Sequence, residues 1–343
     1  MRVTMKDVAR AAGVSVTTVS LVLNDAPGIA QATRERVRGV IRDLGYTPND
    51  QARRLFSGRT GTLAFVMPPW PAAFADPYFI EMMRGTLEAL RDRGYEMLLE
   101  ISDARFLEHE LWKRLFESKR IDGLLVATPY LDQSYLLELG NPRFPTLLVN
   151  GERPDLPRLD FVGYADLPCG ETATDYLIGL GHRRIAHISG PANQASALRR
   201  AEGYRNALVR AGIPYRADWV QNGEFLPLEG RDALDRILSL PGEKPTAYFC
   251  ANDTMALSVI THLQERGIRV PEDVSVIGVD DSEAAGRSVP GLTTFRQDMF
   301  VLARQAAELF IDKIEGKAGE DPAKVLVPMA FIERGSCAPA PAS

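Results

Sequence analysis

Beyond about residue 60 the chain alternates short apolar runs with longer amphipathic stretches. TLAFVM (62–67), YEMLLEI (95–101), IDGLLVA (121–127) and PTLLVN (145–150) are apolar segments of strand length, and IEMMRGTLEALRDRG and HELWKRLFESKR between them carry the spacing of amphipathic helices. A second set follows, with RRIAHISG, PTAYFCAND and VSVIGVDD as strands and ALRRAEGYRNALVRAG and TMALSVITHLQERG as helices. Strands that are apolar throughout are buried on both faces, so this order predicts parallel sheets covered by helices on each side. Two such sets are too long for one sheet, which predicts an α/β body of two similar, doubly wound lobes.

Residues 1–60 follow another pattern. Thr4, with Asp7 three positions on, forms an approximate capping box before MKDVARAA, and that helix ends at Gly13. Ser15 caps a second short helix, VTTVSLVLN, and TRERVRGVIRDLGY supplies a third. Two helices joined by Gly-Val-Ser and followed by a third predict a helix-turn-helix unit, whose second helix enters the DNA major groove. On that helix Val19, Val22 and Leu23 point together toward a small core, whereas Thr17, Ser20, Leu21 and Asn24 recur at i, i+3, i+4 and i+7 on the opposite stripe. An outward leucine suits a thymine methyl and a threonine suits a base edge, so Val16, Thr17, Ser20 and Leu21 are the candidate base contacts. Thr4, Ser15, Thr18, Asn24, Thr33 and Tyr46 are candidate phosphate contacts, which fix register rather than sequence. The same spacing also fits a plain three-helix bundle with a basic, solvated surface.

Charge sharpens this division. The 343-residue chain carries a net charge of −5, but residues 1–60 hold ten basic against five acidic side chains, so a head of +5 is joined to a body of −10. A polyanion is attracted to one end only. The length predicts two or three domains. No run of about 18 apolar residues occurs and the first residues lack an apolar segment before a cleavage site, so neither membrane insertion nor export is expected. Cys169, Cys250 and Cys337 are odd in number and far apart, which fits a reducing cytoplasm, and no Cys/His ligand cluster is present. No metal and no cofactor is expected. Catalysis is not expected either. The adjacent Asp280 and Asp281 diverge on a strand, as do His182 and His187, and GxSxG, GxxxxGK[ST] and HExxH are absent.

MKDVARAAGVSVTTVSLVLND, followed by TRERVRGVIRDLGYTPNDQARRL, closely resembles the DNA-binding head of the LacI/GalR family of bacterial transcriptional regulators, and the similarity continues through nearly the whole chain. The resemblance implies a three-helix helix-turn-helix domain over residues 1–48, a hinge helix and linker over 49–60, and a two-lobed, periplasmic-binding-protein-like effector and dimerisation body over 61–343. The first lobe is expected at about 61–164 plus 294–326 and the second at about 165–293 plus 327–343. A homodimer would read the palindromic half-sites of a double-stranded DNA operator. The hinge helix, N-capped by Asn49, would fold on DNA, with Leu55 wedged between base pairs, Ala52 along the minor groove, and Arg53 and Arg54 at phosphates. Two positions depart from the family pattern. Leu21 stands where relatives often carry a polar or basic residue, and Ala30 where many have a serine cap for the third helix.

For the body, the same resemblance implies a small molecule bound between the lobes, beyond the strand ends. Tyr78 and Phe79 in DPYFIEMMRG lie at the cleft mouth, although Phe79 also fits a helix core. Arg200 in ALRRAEGYRNAL matches an effector-anchoring arginine, and Phe225 in GEFLPLEG an aromatic that stacks on the ligand. Asn150, Asn252 and Asp280, each at the end of an apolar run, match hydrogen-bonding positions. Arg199 and Arg205 are assigned to a solvated face, and Asp253 and Asp281 to caps of the helices that follow them. One arginine, one or two carboxylates and an aromatic plate suit a neutral sugar, with a nucleobase or a small acid as other possibilities. The implied function is a cytoplasmic, sequence-specific repressor controlled by a small-molecule effector, a sugar. The alternative, a solute-binding protein for uptake, shares the body but has no use for the cationic head.

Overall fold

A computed structural model describes residues 3–23, 26–46, 59–70 and 74–341. The chain forms two compact units, residues 1–60 and 61–343. Asn24, Asn49, Ala52, Arg53, Arg54 and Leu55 lie outside the described residues.

In the first unit, α1 (Met5–Ala12), α2 (Val16–Leu23) and α3 (Gln31–Asp43) close on a small core. Asp7 starts α1 as the spacing predicts, its carboxylate accepting the Thr4 backbone N–H at 3.0 Å and the Thr4 hydroxyl at 2.6 Å. Gly13 ends it in the left-handed conformation that a side chain would oppose, with φ 63°. The Ser15 hydroxyl then accepts the Thr18 N–H at 3.0 Å and starts α2. Val8, Ala12, Val19, Val22 and Val37 fill the centre, and Leu23 packs at its edge. Ala30 begins α3 without a side-chain cap.

The body contains two parallel sheets. The first has the order β11-β5-β4-β3-β1-β2, from strands β1 (Thr62–Met67), β2 (Glu96–Ile101), β3 (Gly123–Ala127), β4 (Thr146–Val149), β5 (Asp160–Tyr164) and β11 (Lys324–Val327). Every pairing in it is parallel. Phe65, Met67, Leu125 and Val149 face the helices Pro77–Asp92 and Met299–Ile314, while Val66, Leu124, Val126 and Leu148 face Phe106, Trp112 and Leu136. The two helices on the first face approach closely at Gly85, where a Cβ would stand 2.1 Å from the Phe300 carbonyl oxygen. The second sheet has the order β7-β6-β8-β9, also all parallel, from β6 (Ile185–Ser189), β7 (Val220–Asn222), β8 (Ala247–Cys250) and β9 (Ser275–Ile277). Helices cover both of its faces.

The chain passes between the sheets three times: from β5 into the helix Asp166–Gly179, from β10 (Thr294–Arg296) into Met299–Ile314, and from β11 to β12 (Ala330–Ile332). β10 and β12 pair antiparallel at the crossing. Two predicted elements are shorter than expected. The HELWKRLFESKR stretch is helical only over Leu111–Glu117, because Glu110 takes φ 45° and separates it from Ala104–Glu108. VSVIGVDD is a strand only over Ser275–Ile277, and the backbone turns at Asp280 and Asp281, with φ 132° and 58°.

Candidate nucleic-acid interface and effector cleft

On the head, the predicted stripe of α2 is open. Val16 is 41 % exposed, Leu21 39 %, Thr17 is exposed and Ser20 half-buried, while Val19 and Val22 on the opposite face are buried. Two apolar side chains left in water on one face of so small a unit are available to an apolar partner surface. Of the proposed phosphate contacts, Thr4 and Ser15 are exposed and Thr18 and Thr33 half-buried. Tyr46 differs from expectation. It is 8 % exposed and packed in the core with Val8, Val19 and Val37, because the chain after α3 folds back over that face.

In the body, both sheets direct the carboxyl ends of their strands toward one cleft, whose empty volume is about 550 Å3 with its open mouth included. From the first lobe come Trp70, Asp76, Tyr78 and Phe79 after β1 and Thr128 after β3; from the second come Gln194, Ser196 and Arg200 after β6, Phe225 after β7, Asn252 and Thr254 after β8, and Asp280 after β9. β1 lies between β2 and β3, and β6 between β7 and β8, so consecutive connections leave in opposite directions at the cleft. Open sheets leave room for a ligand at such a reversal.

Backbone strain also gathers here. Thr128, Asn150, Phe225, Asp280 and Asp281 all have positive φ although none is glycine. The Phe225 ring lies against the backbone of Gly190, where a Cβ would stand 2.2 Å from the ring. Phe79 combines the two expected placements, lining the cleft while buried in the core, edge-on to Tyr78 with centroids 5.1 Å apart. Burial pushes the Tyr78 hydroxyl up to about 12, so it remains a neutral donor and acceptor.

Asn150 stands behind the cleft wall rather than in it. It is 3 % exposed, its amide donates to the Tyr78 hydroxyl at 2.7 Å, and its carbonyl accepts the Tyr164 N–H at 3.1 Å. It braces a lining residue because the chain turns left-handed at the end of β4 and brings its side chain back over β5. Arg200 lines the cleft, but at 4 % exposure its guanidinium is already engaged, Nε donating to Asp166 at 2.8 Å and a terminal nitrogen to the Ala251 carbonyl. Burial alone would lower its affinity for the proton, and the charge of Asp166 reverses that and keeps it cationic. Asp166 itself is raised, desolvation outweighing the attraction of Arg200.

Three further expectations are corrected. The helix Asp253–Glu265 is capped by Asn252, whose Oδ1 accepts the Met255 N–H at 3.0 Å while its amide donates to the Phe225 carbonyl at 3.1 Å. Asp253 is instead fully buried, accepting the Thr294 hydroxyl at 2.6 Å and the Ser282 N–H at 2.8 Å. Ser282 caps the next helix, Glu283–Arg287, and Asp281 is paired with Arg296 and Arg334. Arg199 is only half exposed and reaches Glu152, on the segment after β4, at 3.3 Å, whereas Arg205 is exposed as expected. The lobes also touch directly, the Leu131 N–H donating to the Asn193 carbonyl at 2.7 Å.

Trp70, Asp76, Thr128, Gln194, Ser196 and Thr254 escaped the sequence reading. Each follows a strand that was identified, so strand ends alone could have located them. Among the described residues, no group of three His, Cys, Asp or Glu is arranged to hold a metal, and no helix is long and apolar enough to cross a membrane.

Comparison with known proteins matches both units of the chain. Residues 4–49 match the model of bacterial regulatory proteins of the lacI family, and residues 174–337 that of a periplasmic binding protein-like domain. The HTH-type transcriptional repressor PurR of Aliivibrio fischeri (strain MJ11) is 35 % identical over 319 residues, 92 % of this chain and 93 % of the relative. The HTH-type transcriptional regulator CelR of Thermobifida fusca is 36 % identical over 339 residues, 98 % of each. Among solved structures, a CelR–cellobiose complex matches with 32 % identity and a TM-score of 0.73, and a Lac repressor dimer bound to operator and the anti-inducer ONPF with 26 % and 0.84. Each of these two matches covers 98 % of this chain and all of the other.

Proposed function

The chain belongs to the lacI family of bacterial regulatory proteins, and from that premise we propose that it is a homodimeric repressor whose affinity for a palindromic operator is set by a sugar bound between the lobes of its body. The observation that carries this reading is the pairing, in one chain, of an open helix-turn-helix stripe with a strained, polar and aromatic cleft at the strand ends of two parallel sheets.

Val16, Thr17, Ser20 and Leu21 would read base edges, and Thr4, Ser15, Thr18, Asn24 and Thr33 would set register on phosphates. From the resemblance, Asn49 to Leu55 would form the minor-groove hinge. Tyr78, Phe79, Arg200, Phe225, Asn252 and Asp280 would hold the effector, with Asn150 supporting Tyr78. Ligand would draw the lobes together, move the first lobes of the dimer against one another, and change the spacing of the two hinges; coupling energies between such sites are typically about 1–3 kcal/mol. The work is regulatory, without a catalytic step, and is done where the chromosome is, in the cytoplasm. Selection of bound duplexes from a randomised pool tests the DNA arm. The reading expects a two-fold symmetric consensus, altered by Leu21→Ala and Thr17→Ala; enrichment without any consensus refutes it.

A further inference from the structure

The cleft lining has an excess of acceptors. Its cation, Arg200, is engaged by Asp166 and the Ala251 carbonyl. Two more carboxylates face the same space from opposite lobes, and among the described residues no ion pair reaches either one. Asp76, in the first lobe, caps the helix Pro77–Asp92 with one oxygen, which accepts the Tyr78 N–H at 3.0 Å. Among the described residues, its second oxygen has no such duty. Asp280, in the second lobe, is fixed at φ 132° by its N–H, which donates to Phe295, and by its carbonyl, which accepts from Gln297.

We propose that Asp76 is a specificity determinant of the effector site, and that together with Asp280 it restricts the ligand to an uncharged polyhydroxylated molecule whose hydroxyls donate to both carboxylates and tie the lobes together. The inference rests on the cleft being the effector site and goes further by naming the chemistry it accepts and rejects. An ionised carboxylate at Asp76 accepts hydrogen bonds and donates none, and Asp280, whose proton affinity burial raises, still presents an acceptor oxygen, so the facing walls favour a ligand rich in donors. Sugar hydroxyls supply these, and Trp70, Phe79 and Phe225 offer apolar faces for the C–H side of a ring. A phosphate or carboxylate on the ligand would meet like charge at Asp76 and an acidic acceptor at Asp280, with Arg200 already paired to Asp166. Desolvation raises both Asp76 and Asp280; at Asp280 the buried Asp253 adds to the rise, Arg200 opposes it, and Asp76 contributes least.

Asparagine caps a helix as well as aspartate does, so Asp76→Asn removes the charge and keeps the start of the helix. The test is calorimetric titration of the full chain with neutral mono- and disaccharides, cellobiose among them, with the matching sugar phosphates, and with free nucleobases. At least one neutral sugar should bind and its phosphate should not. Asp76→Asn should weaken that sugar about 10–100-fold, the usual loss for a hydrogen bond to a charged group, without lowering the unliganded melting temperature. The double variant Asp76→Asn/Asp280→Asn should narrow the gap between sugar and sugar phosphate. A sugar held equally well by Asp76→Asn, or a phosphorylated sugar preferred by the wild type, overturns the assignment and leaves effector control standing. Binding of a nucleobase alone, or of no sugar in the panel, overturns it together with the sugar reading.

Discussion

Replacing Asn150 with alanine separates two roles that a sequence motif cannot distinguish, direct ligand contact and support of a neighbour. Its carbonyl is the acceptor for the buried Tyr164 N–H, and its amide is the nearer partner of the Tyr78 hydroxyl, which also lies 3.3 Å from Thr128. Alanine leaves the Tyr164 N–H without a partner, at a cost of about 1–3 kcal/mol. It also places an ordinary side chain at φ 51°, where asparagine is tolerated and alanine adds about 1–2 kcal/mol. The expected destabilisation is therefore about 2–5 kcal/mol, which for a body of this size lowers the melting midpoint by about 5–15 °C. Asn150→Gly removes the backbone part and should recover about 1–2 kcal/mol of the loss. Differential scanning calorimetry measures both variants, and effector titration should show a smaller change, less than about tenfold, arising through Tyr78. A melting midpoint unchanged in Asn150→Ala, combined with abolished effector binding, would refute the bracing role and return Asn150 to direct contact.

Three other expectations test separate parts of the molecule. Val22→Ala deletes two carbons from a fully packed site, about 2 kcal/mol, out of the roughly 2–7 kcal/mol available to a unit of this size; operator binding should fall sharply while calorimetric effector affinity stays constant, and equal loss of both would contradict the two-unit organisation. Gly170→Ala should separate the helices Asp166–Gly179 and Ala195–Arg210, because its Cβ would lie 2.2 Å from the Arg200 carbonyl oxygen, so it should lower both the melting temperature and effector affinity, whereas Gly39→Ala on α3, with nothing within 4 Å, should be neutral or stabilising in a melt. His187 is buried between Tyr204 and Phe249, and its Nδ1–H donates to the Phe249 carbonyl while Nε2 has no partner among the described residues. Burial first, then the charge of Arg200, pushes it down to about 4 from 6.5, so the stability linked to it is complete above pH 6.5 and lost as pH falls toward 4; His187→Phe should flatten the melting temperature over that window, and an unchanged pH profile would count against the assignment.

The parts of the fold written in local spacing were legible. The capping pair Thr4 and Asp7, the stop at Gly13, the Ser15 cap and the buried face of Val19 and Val22 all involve neighbours within one helical turn, and they appear in the structure as read. The apolar runs of β1, β3, β4, β6 and β8 were equally plain, because a strand covered on both faces has no polar alternation to confuse it. What failed depended on partners distant in sequence. Asp253 looks like a cap from its place after a strand, yet its carboxylate is claimed by Thr294 and Ser282, and the cap falls to Asn252. Tyr46 looks like a surface aromatic from the polar text around it, and only the closing of three helices buries it. Asn150 was drawn to the cleft by its position at a strand end, but a left-handed turn directs its amide to Tyr78 instead. Asp76 was hidden for the opposite reason, since a carboxylate before proline reads as a helix start, which it is, and its second oxygen acquires meaning only when the other lobe brings Asp280 to the same space.

The most direct test of the account measures operator affinity by fluorescence anisotropy at fixed ionic strength while an effector, first shown by calorimetry to occupy the cleft, is titrated to saturation. Coupling between the two sites predicts a shift in the dissociation constant of about 5–150-fold between the free and saturated protein, abolished in a variant whose cleft no longer binds. An affinity for operator that is the same with the cleft empty and full would contradict it.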